Sequence, residues 1–269
     1  MGLLQDLRAG PALPKEPIRY RSSDGLEITG LMCKPEGDGP FPLIAVNHGG
    51  FEPAHTIGGM VHLFAKLGYV AVASDYRGAG GSQGRHELAL GEVDDVLSAI
   101  RWARSLPFVD GSRTVTFGVS HGGMISLLAA ARDPGIRAVV DIVAPTEPHG
   151  WYRHVRRAAE TSTQAAALMQ VLSRIDGLTG WTAADWARRS PLAEARRIKC
   201  PVLLVYGAKD EIVPPSEGEA MMAALHAGGT EATLVIDPAA GHFFDGEAWN
   251  RVVREFINFL NRRVGLPTV

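Results

Sequence analysis

Cysteine is scarce in this sequence: Cys33 and Cys200 are the only two among 269 residues. Bordering different predicted strands, they make neither a disulfide framework nor a metal-ligand cluster, so buried free thiols and no metal site are expected. An excess of charge is missing too. The formal net charge of −2 and a pI near 6.5 give no electrostatic reason to expect nucleic acid or a membrane as partner. Aromatic residues amount to 7%, so any local concentration of them is informative. No run approaches the roughly 20 apolar residues of a membrane span. The first residues carry Asp6 and Arg8 between prolines and apolar positions, without the apolar core of a signal peptide. Asp6 also stands where a myristoylation signal beginning at Gly2 needs Ser or Thr. A cytoplasmic protein is the expectation.

What is present suffices for one large α/β domain over 1–269, since 46% of the residues are hydrophobic and 21% charged. A Pro-punctuated arm over 1–17 leads to a strand at Ile18–Ser22. The turn Ser23-Asp24-Gly25 then starts a second strand, Leu26–Lys34, making a hairpin. Leu43–Val46, Val70–Ala73, Thr114–Phe117, Ile136–Val143 and Val202–Tyr206 are continuous apolar runs, as expected of strands covered on both faces, and Ala232–Ile236 follows them. Helices alternate with these strands. Val93, Val96, Leu97, Ile100 and Ala103 recur at helical spacing, and Gly59–Leu67, Ser216–Ala227 and Trp249–Val264 read the same way. The pattern predicts a mostly parallel eight-stranded sheet with helices on both faces and its ligand site at the carboxyl ends of the strands. One insertion, about 145–190, interrupts it. That segment holds Trp151, Tyr152, Trp181 and Trp186 and a helical stripe of Leu168, Val171, Leu172 and Ile175, so it is expected to form a small helical cap.

The decisive stretch is Gly118-Val119-Ser120-His121-Gly122, set between the apolar run ending at Phe117 and a small-residue helical run from Met124. Strand, Gly-x-Ser-x-Gly and helix together make a nucleophile elbow; the same letters alone could be a serine helix cap. Partners decide between the two. A serine hydroxyl attacks at neutral pH only if a base takes its proton, and an imidazole oriented by a carboxylate does so. His242 follows the last predicted strand, and Asp210 follows the strand ending at Tyr206. Asp141, Asp237 and Asp245 are rival carboxylates. The order Ser120, Asp210, His242 is the one this fold uses. For the oxyanion, the elbow offers the His121 backbone N–H, and the loop His48-Gly49-Gly50-Phe51 offers one from Gly50 or Phe51. Tyr76, Met124, Trp151, Trp181 and Trp186 are the expected pocket residues.

With these residues in place, the chain resembles the α/β-hydrolase superfamily. Within it, it is similar to the catalytic domain of prolyl oligopeptidase-like serine peptidases and their stand-alone esterase relatives. The matching stretches are His48-Gly49-Gly50, Asp75-Tyr76-Arg77-Gly78, the elbow through Gly123, Ser190-Pro191-Leu192 leading to Cys200-Pro201-Val202, Gly207 to Asp210 with Val213-Pro214, and Gly241-His242. The resemblance implies the α/β-hydrolase fold, with Ser120 as nucleophile, Asp210 as acid and His242 as base. No propeller domain is expected beside it, and the elbow carries serine where dienelactone hydrolases, which share the fold, carry cysteine. The expected reaction is hydrolysis of small carboxylic esters through an acyl-enzyme, without a cofactor; homo-oligomer formation is left open. An aminopeptidase or amidase is the alternative and needs an acidic anchor for the substrate amine, for which Glu52, Glu87 and Glu147 are loop candidates. A third reading is a binding protein that has lost catalysis on the same fold.

Overall fold

The computed structural model describes residues 12–266. A hairpin comes first: β1 (Lys15–Arg21) pairs antiparallel with β2 (Glu27–Cys33) across a turn where Gly25 takes a φ of 90°. The arm expected up to residue 17 is therefore strand from Lys15, and residues 1–11 lie outside the described residues. Six strands follow: β3 (Phe41–Asn47), β4 (Val70–Ser74), β5 (Val109–Val119), β6 (Ile136–Ile142), β7 (Val202–Gly207) and β8 (Ala232–Asp237). The sheet runs β1-β2-β4-β3-β5-β6-β7-β8, antiparallel as far as β4 and parallel from β4 onward. This is the α/β-hydrolase arrangement. Leu43, Ile44, Ala45 and Val46 are all buried, as a strand covered on both faces requires.

Between the strands lie α1 (Gly58–Lys66), α2 (Gly91–Arg104), α3 (His121–Arg132) and α8 (Ser216–Ala227), and α9 (Gly246–Val264) follows the last of them. On one face, Phe64 of α1, Phe117 of β5 and Phe256 of α9 meet with ring centroids 5.0–5.8 Å apart. The other face holds α2 and α3, whose small residues allow α3 to lie close on β5 and β6. The small helical cap expected of the insertion comprises three helices, α4 (Pro148–Ala158), α5 (Thr163–Leu172) and α6 (Ala183–Ala187), followed by one turn, α7 (Pro191–Glu194). Ser162, Thr182 and Ser190 cap α5, α6 and α7 by accepting main-chain N–H groups, so each start is set by a local polar side chain.

Topology fixes where a ligand can bind. The chain leaves β3 for β4 on one side and returns to β5 on the other, which opens a crevice at the carboxyl ends of β3 and β5. Asn47 lies opposite Gly118 in that pair, and its amide donates to Ser126 Oγ at 2.8 Å, so the two loops leaving these strands emerge side by side.

Candidate active site

At the end of β5 the chain reverses at Ser120, whose φ of 53° and ψ of −119° cost about 1–3 kcal/mol for a residue with a Cβ. Bare neighbours make the reversal possible. A Cβ on Gly118 would lie 2.1 Å from the Gly122 carbonyl oxygen, and one on Gly122 would lie 2.2 Å from that of Asn47. The Ser120 N–H donates to the Ile142 carbonyl at 2.7 Å, while its own carbonyl accepts from Gly123 and Met124 at 2.9 and 3.2 Å. Backbone bonds thus hold the serine from both sides.

The loops after β7 and β8 bring a carboxylate and an imidazole together. Gly207 lies opposite Asp237, and a Cβ on Gly207 would come within 2.4 Å of the Gly241 carbonyl oxygen, so only glycine lets the loops touch. Asp210 is buried; its Oδ1 accepts from the backbone N–H groups of Ile212 and Val213, each at 2.8 Å, and its Oδ2 accepts from His242 Nδ1 at 2.8 Å. With Oδ1 saturated, the carboxylate cannot rotate freely. Nδ1 therefore carries the proton, and Nε2 is left with its lone pair. Among the described residues no hydrogen bond joins Nε2 to Ser120 Oγ, although both residues line one cavity.

Among the described residues none of the rival carboxylates is hydrogen-bonded to His242, which pairs with Asp210. Asp237 accepts from Ala239 and Ala240 N–H groups and pairs with Arg251, while Asp245 stands at the start of α9. Asp141 is fully buried beneath the elbow, where burial pushes its carboxyl up to about 7.

Facing the elbow, the loop after β3 is held by His121. Its Nε2 accepts from the Ala89 N–H at 3.0 Å, so Nδ1 is the protonated nitrogen and donates to the Gly50 carbonyl, also at 3.0 Å. Burial pulls this imidazole down to about 3, so it is neutral at physiological pH. The Phe51 ring sits between those of His86 and His121, with centroids 4.8 and 5.1 Å away. Neither the Phe51 nor the His121 backbone N–H donates to a backbone carbonyl among the described residues.

Ser120 and His242 open onto a cavity of about 600 Å³, walled largely by apolar groups that include Phe51, Met60, Leu88, Met124 and Trp151. Over residues 56–266, most of the chain, the sequence matches the model of the prolyl oligopeptidase family. The chain belongs to that family. Like its relatives in the prolyl oligopeptidase family, it is a serine hydrolase. It is 27% identical over 273 residues to dipeptidyl aminopeptidase BIII of Pseudoxanthomonas mexicana, covering 93% of this chain and 39% of the relative. It thus spans well under half the length of that protein. It is 26% identical to a putative carboxymethylenebutenolidase of Methylorubrum extorquens, covering 86% of this chain and 72% of the relative. In fold it is similar to the acylaminoacyl peptidase of Pyrococcus horikoshii, with a TM-score of 0.75 and 21% identity over 97% of this chain and 43% of the other.

Within this prolyl oligopeptidase family site, three expected pocket residues lie elsewhere. Tyr76 is fully buried, stacked on His48 at 4.1 Å with its hydroxyl on the His48 carbonyl. Trp186 stacks with Tyr152 and His149 and meets Trp181 edge-on at 4.9 Å, while the Arg189 guanidinium covers Trp181. Trp186 is buried and Trp181 half-buried inside the cap, which also buries Val155, Leu172, Ile175 and Leu178. Trp151 does line the cavity, fixed by its Nε1–H on the Ile212 carbonyl at 3.1 Å. Of the acidic loop candidates, Glu147 caps α4 and Glu87 accepts from the Gly91 N–H, whereas Glu52 is on the cavity wall. Sequence reading did not name Leu88, Leu172, Ile212 or Phe243 among the wall residues. Phe243, 74% exposed beside His242, carried a signal in its position; Leu88 carried none.

Proposed function

We propose that the protein hydrolyses small carboxylic esters with an apolar acyl or alcohol part, through an acyl-enzyme on Ser120. One observation carries the reading: the Asp210–His242 pair opens onto the same apolar cavity as a serine on a strained elbow. In the proposed reaction Ser120 Oγ attacks the ester carbonyl carbon as His242 Nε2 takes its proton, with Asp210 stabilising the imidazolium. The carbonyl oxygen, now an anion, accepts from the backbone N–H of His121 and from that of Gly50 or Phe51. Collapse expels the alcohol, which takes the proton from His242; a water molecule then repeats the cycle on the acyl-enzyme and releases the acid. We assign these steps to one domain with its cap at about 145–190.

A second reading, an aminopeptidase or amidase, is favoured by the dipeptidyl aminopeptidase named among the relatives and by Glu52, a carboxylate on an otherwise apolar wall. A panel of p-nitrophenyl esters of rising chain length, run beside aminoacyl p-nitroanilides, separates the two. Ester turnover should exceed anilide turnover by at least about 100-fold in kcat/KM, a gap of roughly 3 kcal/mol in barrier. Anilide turnover that is faster, and that Glu52→Gln lowers through KM, would overturn the ester reading in favour of the second.

A further inference from the structure

His121 is already the source of one proposed oxyanion donor through its backbone, and its side chain touches the loop that supplies the other. The two donors leave different strands, β5 and β3, so nothing in the sheet alone sets their spacing to the few tenths of an ångström that an oxyanion requires. Resting on the Ser120 reading above, we propose that the His121 side chain is the positioning residue of the oxyanion hole, fixing the Gly50–Phe51 peptide relative to the elbow. Its Nδ1–H holds the Gly50 carbonyl at 3.0 Å. Carbonyl and N–H lie on opposite sides of one planar trans peptide, so fixing the first fixes the direction of the Phe51 N–H. The Phe51 ring, tilted against the His121 imidazole with centroids 5.1 Å apart, restrains the same residue a second time.

The other ring nitrogen ties this unit to a strained turn. Leu88 and Ala89 have consecutive positive φ angles of 55° and 57° without being glycine, a conformation that persists only where surrounding bonds impose it. Those bonds are present. Glu92, buried in α2, accepts from the N–H groups of Glu87 and Leu90 at 2.7 and 3.2 Å, the Arg189 guanidinium donates to the Glu87 carbonyl at 2.8 Å, and the Ala89 N–H donates to His121 Nε2 at 3.0 Å. Leu88 of this turn is on the cavity wall. One neutral imidazole therefore links the substrate wall, the β3 loop and the elbow, and both its nitrogens are needed, one as donor and one as acceptor.

The two functions can be separated by shape. In His121→Asn the amide nitrogen takes the place of Nδ1 and can still donate to Gly50, while the bond to Ala89 is lost. In His121→Gln the side chain reaches the place of Nε2, and the Gly50 bond is lost. Ester kinetics and inhibition by a trifluoromethyl ketone, whose serine adduct bears the oxyanion, are measured with labelling of Ser120 by a fluorophosphonate. His121→Ala and His121→Gln should lower kcat about 10- to 100-fold and weaken the ketone to match, with KM and inhibition by the product acid changed less than about two-fold; His121→Asn should recover most of kcat. If His121→Ala does not fold, the Asn and Gln pair decides, since both fill the space. Equal kinetics for Asn and Gln, or an Ala variant with wild-type kcat, would overturn the proposal. Wild-type protein that hydrolyses esters without fluorophosphonate labelling at Ser120 would instead overturn the nucleophile reading, and this proposal with it.

Discussion

At the scale of single residues, the assigned roles make separable demands. Ser120→Ala removes one oxygen from a residue on the cavity wall, and its backbone bonds to Ile142, Gly123 and Met124 do not depend on the hydroxyl. Thermal unfolding should be unchanged, while ester turnover falls by at least about 1,000-fold; residual activity above about a hundredth of wild type would reject the nucleophile. Asp210→Asn is the sharper test of the dyad. An asparagine can keep the two main-chain donors on its oxygen, but it then turns its amide N–H groups to His242 Nδ1 and favours the wrong tautomer. A loss of about 10,000-fold in kcat with little change in KM is expected. Asp237→Asn is the control, because that carboxylate serves Ala239, Ala240 and Arg251. It should lower the melting temperature and spare kcat; the reverse pattern would mean that the acid is Asp237. The gathering of Ser120, Asp210 and His242 at one edge of the sheet was legible from the sequence, because each follows a strand and chemistry restricts the residue types. The side-chain role of His121 was not legible, since it depends on a carbonyl and an N–H from loops 71 and 32 residues away.

At the scale of elements, the sheet was legible because buried parallel strands leave continuous apolar runs, and the cap was less so. Its helices are short, and their caps, Ser162, Thr182 and Ser190, are common polar residues that also occur in loops. An aromatic cluster looks the same in sequence whether it lines a pocket or fills a core. The structure separates the two: Trp151 reaches the cavity, while Trp181 and Trp186 pack on each other, on Tyr152 and under Arg189. Trp151→Ala should enlarge the cavity and shift the preferred p-nitrophenyl ester to a longer chain. Trp186→Ala should leave the chain-length order alone and destabilise the fold by about 3–5 kcal/mol, the usual cost of emptying a buried aromatic site. A change in chain-length order with Trp186→Ala and none with Trp151→Ala would show that the wall had been drawn on the wrong side of the cap.

At the scale of the whole molecule, the fold carries ionisable groups in its interior, and their proton balance sets how stability depends on pH. The buried imidazole of His121, drawn down to about 3, must gain a proton on unfolding in acid, so its contribution is lost as pH falls below about 6.5. Asp141 and Glu92 act in the opposite sense. Burial holds both near 7, so between pH 4 and 7 the native state keeps protons that the unfolded chain has released, and stability falls as pH rises, by about 1.4 kcal/mol per pH unit for each retained proton. Geometry supports a protonated Asp141 independently. The Tyr206 hydroxyl lies 2.9 Å from Asp141 Oδ2 and 2.7 Å from the Ala144 carbonyl, yet a phenol has one proton to donate. Both contacts are satisfied if Tyr206 donates to Ala144 and the Asp141 carboxyl donates to Tyr206. An asparagine amide can make that second donation without ionising. Relative to wild type, Asp141→Asn should therefore gain stability steadily between pH 4 and 7 in urea unfolding and hold the gain at pH 8. A difference that stays the same at pH 5 and pH 8 would mean that Asp141 carries no proton in the folded protein and that Tyr206 donates to it instead.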